Sequence, residues 1–169
     1  MKGVNMRIRL VLSVGLAMLL SLAVVSAAGA AGNPGTVTMT THAHNVVLFS
    51  DPGTNPCNGE TGTLTAVAAN EVFHVTFFSN SDEFWVTGTD EGTVTFRPDD
   101  PSGVSASGHF AAWFGESANQ RNDVQHDTDT FHLVGTDGSK LVAHDTDHVS
   151  TNANGVVTVS FSKPRLTCG

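Results

Sequence analysis

Residues 71–78 read EVFHVTFF, and this alternation of apolar and polar side chains decides the fold class. Successive side chains of a β-strand point to opposite faces, so Phe73, Val75 and Phe77 would share one face of an extended strand. The same period of two recurs in residues 93–96, 130–133 and 157–162. Helical periodicity is hard to find after residue 31, and the pattern therefore predicts an all-β protein.

Clusters of Gly, Pro, Asn, Asp and Ser separate these runs at short intervals. The dipeptides Asp137-Gly138 and Asn154-Gly155 favour tight hairpins, because these residues tolerate positive φ. The stretch 116–127 is the least β-like and is predicted to form a long loop or a short helical turn. We expect strands between the clusters, near residues 36–49, 61–68, 71–78, 84–89, 92–97, 105–114, 128–134, 140–150 and 156–162.

About eight or nine strands joined mostly by hairpins predict an antiparallel up-and-down meander. We expect it to close into a small barrel, because closure removes the exposed edges that a meander leaves. The alternative is a β-sandwich. The sequence contains no internal repeat, linker or low-complexity tract, so residues 31–169 are predicted to form a single all-β domain.

The N-terminal segment has the order of features that is typical of a secretion signal. Cationic side chains come first, at Lys2, Arg7 and Arg9. An apolar run over residues 10–25 follows, and then small residues over 26–31. We interpret residues 1–30 as a cleaved signal peptide that leaves Ala31 as the mature N-terminus. The alternative is a membrane anchor, since the apolar run approaches the length of a minimal span.

Charge narrows the choice of partners. Three of the eight cationic residues belong to the predicted signal, and the remaining five against 16 acidic residues leave a net charge of −11. Such a surface repels nucleic acid and anionic membranes. We therefore expect no nucleic-acid partner and, after signal cleavage, no membrane partner, and the predicted signal makes this an extracellular protein.

Cys57 and Cys168 are the two cysteines of the chain, and both follow the predicted signal. Two cysteines in an exported protein predict one disulfide, which would close a loop of about 110 residues. The alternative, a pair of metal-binding or reactive thiols, would need a reducing compartment or a Cys-x-x-Cys spacing.

Eight histidines are a high number for a chain of this size. His42 and His44 would lie on the same face of a strand with Cα atoms about 7 Å apart, a workable geometry for two ligands of zinc or copper. A third ligand would come from a neighbouring strand. The alternative is that His, Asp and Thr form the solvated face of a sheet. His74, His132 and His144 would decide between the two, depending on whether they point into an interior or to the surface.

The chain carries no catalytic motif, and no catalytic residue is assigned. A G-x-S-x-G nucleophile elbow is absent. We therefore expect a secreted, non-catalytic β-barrel that binds a small apolar ligand or a protein partner. The alternative, from another functional class, is an extracellular metal-binding protein or metalloenzyme based on histidine, and a third is a purely structural envelope protein.

Three segments resemble a group of uncharacterised secreted β-proteins of actinobacterial type. They are Asn55-Pro56-Cys57-Asn58-Gly59-Glu60, Phe73-His74-Val75, and the stretch from Gly155 to Phe161 with the ending Cys168-Gly169. The group shares an N-P-C-x-G-E segment, a strand with a central histidine and a terminal cysteine. The resemblance implies export and a Cys57–Cys168 disulfide, and it implies no known activity.

Cleavage of the signal gives the first testable prediction. Expression of the full chain in a secreting host should release a protein whose N-terminal residue is Ala31, because the small residues around Ala28 and Ala30 fit the cleavage site. N-terminal sequencing or intact mass spectrometry of the medium measures this. Full-length protein retained in the membrane fraction would instead support the anchor.

Overall fold

The computed structural model describes residues 35–79 and 81–169, so the predicted signal peptide lies outside the described residues. The described residues form one antiparallel sheet of nine strands and contain no helix, hence none with the length and apolarity of a membrane span. The strands are β1 Thr36–Ala43, β2 Val46–Thr54, β3 Thr61–Phe78, β4 Glu83–Pro98, β5 Ala106–Ala118, β6 Asn122–Gly135, β7 Lys140–Asn152, β8 Val157–Ser162 and β9 Arg165–Cys168.

The sheet is a meander whose two edges are interrupted. β1 and β2 both pair with β3, one after the other, and the break between them at His44 and Asn45 lies opposite a β-bulge near Ala69. At the other edge β8 and β9 both pair with β7, and the break includes Pro164, which has no N–H for the ladder. The interior strands β3 to β7 pair in sequence order.

The predicted all-β meander is confirmed, with longer strands than the sequence indicates. β3 and β4 are continuous where we expected two short strands each. Gly92 in β4 supports a close approach and not a turn, because a Cβ there would overlap the backbone carbonyl of Val67 in β3. The stretch 116–127 is also not a loop: β5 and β6 extend into it and pair with each other. Positive φ at Gly138 and Gly155 confirms the two predicted turns.

The two faces of the sheet differ in burial, and we call them the inner and the outer face. One end of the inner face carries the core, which consists of Ala66, Ala68, Val94, Phe96, Phe110 and Leu133. Cross-strand pairing arranges the core side chains in rows across the sheet. Ala66 and Val94 are partners in one row, and Phe110 and Phe131 are partners in the adjacent row. Phe110 and Phe131 stack with centroids 6.0 Å apart. The outer face carries mainly Thr, His and Trp side chains.

The predicted disulfide is present and connects the two edges of the sheet. Cys57 lies in the turn between β2 and β3, and Cys168 lies on β9, with Cα atoms 5.7 Å apart. The edges therefore meet at the end of the sheet that contains the apolar core.

The nine strands belong to one sheet that is not closed into a barrel, so the predicted closure is not reached. Among the described residues the first and last strands are not hydrogen-bonded to each other, so the sheet is open. Two features account for this. Both edge strands are interrupted, and the inner face beyond the core carries carboxylates that repel one another.

The disulfide should contribute much of the stability, since it closes a loop with a sequence separation of 111. Cys57→Ser together with Cys168→Ser should lower the free energy of unfolding by about 4–5 kcal/mol as an upper figure. Urea denaturation followed by circular dichroism measures this. Unchanged unfolding in the double variant would show that the apolar end holds together without the covalent link.

Candidate functional site

The inner face continues from the apolar core into a belt of carboxylates. It lies on the strands β3, β4, β6 and β7, whose register brings the side chains into two adjacent rows. We call this group the acidic belt, and its members are Glu71, Asp90, Asp127, Asp129, Asp145 and Asp147. Residues of alternating strand positions share a face, which is why the Asp-x-Asp pairs of β6 and β7 all point inward.

Carboxylates of the belt lie directly opposite one another on neighbouring strands. Asp129 is the cross-strand partner of Asp145, and Asp127 that of Asp147. Glu71 is likewise the partner of Asp90. Like charges in directly opposite positions destabilise a sheet. The register also places the lysines and arginines of the described strands on the outer face, so no cation of these strands neutralises the belt.

The environment raises the pKa of these carboxyl groups. Burial, with the neighbouring Asp127, Asp145, Asp147 and Asp90 as further causes, raises the pKa of Asp129 to about 7. Burial, and next the charge of Glu71, raises the pKa of Asp90 to about 6. At neutral pH the belt therefore holds protons that isolated aspartates would have lost.

Several carboxylate oxygens of the inner face lack a hydrogen-bond partner. Among the described residues, buried oxygens without a partner are Glu71 Oε2, Asp90 Oδ1, Asp123 Oδ1 and Asp147 Oδ2. Such atoms are costly, because burial removes water without providing a donor in return.

Apolar side chains form the other part of the inner face beyond the core. Phe73 and Phe114 have ring centroids 5.1 Å apart, and the Phe114 ring covers Gly88 of β4. In the next rows toward the open end lie Val75, Val86, Phe77 and Phe84. Phe77 remains 46% exposed. Beyond the core, the inner face thus carries its aromatic side chains on β3 to β5, whereas four of the six carboxylates of the acidic belt lie on β6 and β7.

The outer face collects the histidines of the strands. His74, His132 and His144 all lie there, opposite to the core, so they do not converge in the interior. His74 Nδ1 contacts Thr40 Oγ1 at 2.9 Å, and His144 Nδ1 contacts Thr130 Oγ1 at 2.9 Å. Neither imidazole has a carboxylate partner that would orient it as a general base, so these contacts resemble ordinary cross-strand pairs.

The structure separates His42 and His44, which we expected on one strand face. β1 ends at Ala43, and His44 lies in the break before β2. His44 Nδ1 contacts the carbonyl oxygen of Ala69 and Asn70 Oδ1, each at 3.1 Å. The described residues include no group of three or more His, Cys, Asp or Glu side chains arranged to hold a metal ion. Zinc or copper at His42 and His44 stays a prediction.

A shallow trough on the outer face is a second candidate site. It has a volume of about 550 Å³, within the range of small-molecule sites. His109 and His132, which are cross-strand partners, lie on its walls together with Glu91. All three side chains are exposed, so the trough would leave much of a ligand in water.

The acidic belt is the feature that the sequence analysis missed. The Asp-x-Asp repeats at 127–129 and 145–147 indicate two strands with carboxylates on one face. The missing information was the register, which sets these repeats opposite each other and on the same face as the core.

Comparison with known proteins gave no match to a protein-family model, a curated protein or a solved structure. The function is therefore argued from the geometry of the two faces.

The belt predicts that the domain is more stable in mild acid than at alkaline pH. Asp90 and Asp129 have pKa values of about 6 and about 7 in the folded protein, against 3.8 in the unfolded chain. The folded state therefore binds more protons, and stability should fall as the pH rises from about 4 to 7 and level off above that. Melting temperatures at pH 5 and pH 8 measure this.

Asp129→Asn should flatten this dependence and raise stability at pH 8 by about 1–2 kcal/mol, since it removes a repelled charge that solvent partly screens. Asp137→Asn is the matched control, because Asp137 lies in an exposed turn where hydrogen bonds to Ser139 lower its pKa. Equal effects of the two variants would contradict the role of the belt.

Proposed function

We propose that this is an exported, non-catalytic binding protein whose inner face takes up a small molecule with an apolar body and a positively charged group. The proposal sharpens the expectation of a small apolar ligand. The observation that carries it is the composition of the inner face, which has aromatic and aliphatic side chains mainly on β3 to β5 and four closely spaced carboxylates without a cationic partner on β6 and β7, next to Glu71 and Asp90.

The apolar part of the face supports the uncharged body of such a ligand. Phe73 and Phe114 are only half-buried, although they point to the same side as the core. Full burial of an exposed aromatic side chain contributes about 1.5–3 kcal/mol, so covering the remaining exposed half of each ring contributes roughly half of that. The core itself occupies only one end of the inner face, so the remaining apolar surface is open to a ligand.

The carboxylates of the acidic belt are the reason for proposing that the ligand is positively charged. A neutral apolar ligand would leave Asp127 and Asp147 side by side and uncompensated. A cation placed between them would relieve this repulsion and provide donors for oxygens such as Asp147 Oδ2, which has no partner among the described residues. An anionic ligand would add to the repulsion. Charge therefore gives the site its specificity, and apolar burial gives it affinity.

Three ligands with the same alkyl chain test this proposal. Dodecylammonium, dodecanol and dodecanoate, each below its micelle concentration, differ only in the head group. Dodecylammonium should bind at least an order of magnitude more tightly than dodecanol, and dodecanoate should bind least tightly, because the belt attracts cations and repels anions. Calorimetric titration of the mature protein measures this.

Variants distinguish the two parts of the site. Asp127→Asn with Asp147→Asn should reduce the preference for the ammonium group, while Phe114→Ala should weaken binding of the ammonium and the alcohol alike. Asp99→Asn with Asp100→Asn is the matched control, because these carboxylates are exposed in the segment after β4. Equal binding of the three ligands would contradict the proposal, and no binding would leave a protein partner as the alternative.

A further inference from the structure

The outer face carries two pairs of histidines in directly opposite positions on neighbouring strands. His126 of β6 is the partner of His148 of β7, and His109 of β5 is the partner of His132 of β6. Side chains in opposite positions of an antiparallel pair have Cβ atoms about 4.5–5.5 Å apart. Only the first pair brings its rings together, with centroids 5.8 Å apart.

We propose that His126 and His148 form an open two-histidine site for a divalent transition-metal ion, with Cu²⁺ the tightest. This site is distinct from the inner face and from the predicted pair His42 and His44. Imidazole suits copper, nickel and zinc, and among these ions the affinity of a given nitrogen site is highest for Cu²⁺.

The ring separation is close to that of shared coordination. A metal–nitrogen bond is about 2.0–2.1 Å, and a ring nitrogen lies about 1.2 Å from its centroid. Two imidazoles on one ion therefore have centroids about 5.2 Å apart at the tetrahedral angle of Zn²⁺ and about 4.5 Å apart at the right angle of tetragonal Cu²⁺. The observed 5.8 Å exceeds the tetragonal value by about 1.3 Å, so the two imidazoles turn toward each other when Cu²⁺ binds.

The ring nitrogens of the pair are free to coordinate. In contrast to the rings of His74 and His144, those of His126 and His148 make no hydrogen bond to any other described residue. Both side chains are partly exposed, so an ion can reach them from solvent. Water or an external ligand would complete the coordination, since the described residues provide no third protein ligand here.

Aromatic neighbours hold the two imidazoles in place. Trp113 meets the His126 ring edge-on, with centroids 5.3 Å apart. Phe161 stacks on the His148 ring at 5.2 Å with an interplanar angle of 19°. The four rings thus form a row across β5 to β8, and the two end rings limit rotation of the imidazoles away from each other. This packing reduces the conformational entropy lost on binding the ion.

The fluorescence of Trp113 can be used to measure Cu²⁺ binding. A paramagnetic Cu²⁺ ion bound to His126 would lie next to the Trp113 indole and quench its fluorescence. The chain has two tryptophans, so the variant Trp85→Phe leaves Trp113 as the single emitter. Titration of this untagged mature protein with Cu²⁺ should quench most of the emission at one equivalent, and only a large excess of Zn²⁺ should reverse the quenching by competition, because Zn²⁺ binds imidazole sites more weakly.

Substitutions locate the site. His126→Ala or His148→Ala should weaken Cu²⁺ binding by at least an order of magnitude, whereas His109→Ala with His132→Ala, the matched control pair, should leave the affinity unchanged. His148→Gln serves as a second variant that keeps the volume of the side chain near Phe161, and circular dichroism checks that each variant is folded. The proposal is overturned if Cu²⁺ does not bind, or if binding survives both single alanine substitutions.

Discussion

The disulfide between Cys57 and Cys168 is the constraint on which the shape of this sheet depends. A nine-stranded meander has two edges, and here the covalent bond holds them together at one end only. That end contains the apolar core around Val94 and Phe110, where burial of side chains supports the same curvature. Without the bond, the edges would meet only through side-chain packing, since the first and last described strands exchange no ladder hydrogen bonds.

Beyond the core, charged side chains of the inner face repel one another, whereas the apolar side chains of the core pack together. The inner face carries opposed carboxylates such as Asp129 and Asp145, and the described strands place no cation among them. Desolvation and mutual repulsion both favour an open arrangement, or protonation, or a bound cation. The sheet is therefore held together covalently at its apolar end, whereas the carboxylates in the rows next to this end repel one another. An interior of this kind is better suited to binding than to packing, because a fully stable core would have apolar side chains at these positions.

The alternation of β6 and β7 also explains why acids and imidazoles do not pair. His126 precedes Asp127 and His148 follows Asp147, yet adjacent residues of a strand point to opposite faces. Each strand thus places its carboxylates inside and its imidazoles outside. The same backbone register that makes Asp127 face Asp147 makes His126 face His148. One local repetition in the sequence consequently produces both an acidic belt and a pair of free histidines.

Sequence patterns therefore predict the strands and the disulfide well, but they predict poorly which side chains lie opposite each other on neighbouring strands. The alternation at Phe73, Val75 and Phe77 was sufficient for the fold class, and two cysteines in a chain with a predicted export signal were sufficient for the disulfide. The turn-like residues at 89–92 led to a wrong prediction of a turn. Glycine occurs in turns because it is conformationally free, but Gly92 occurs in a strand interior because a side chain there would overlap the neighbouring backbone, and the sequence does not distinguish the two cases.

The pairing register of the strands could not be predicted from the sequence, yet it determines the site, since a shift of one residue would place every carboxylate on the other face. It also determines how the site responds to protons. A carboxyl group such as Asp129, whose pKa is raised to about 7 by burial and by its acidic neighbours, must lose its proton before a cation can bind it as a charged partner. By linkage, a bound cation would lower that pKa, and proton uptake would weaken cation binding. If the inner face binds the proposed cationic ligand, protons and ligand would compete there, and the competition would lie near neutral pH because the belt is both half-buried and without a cationic partner.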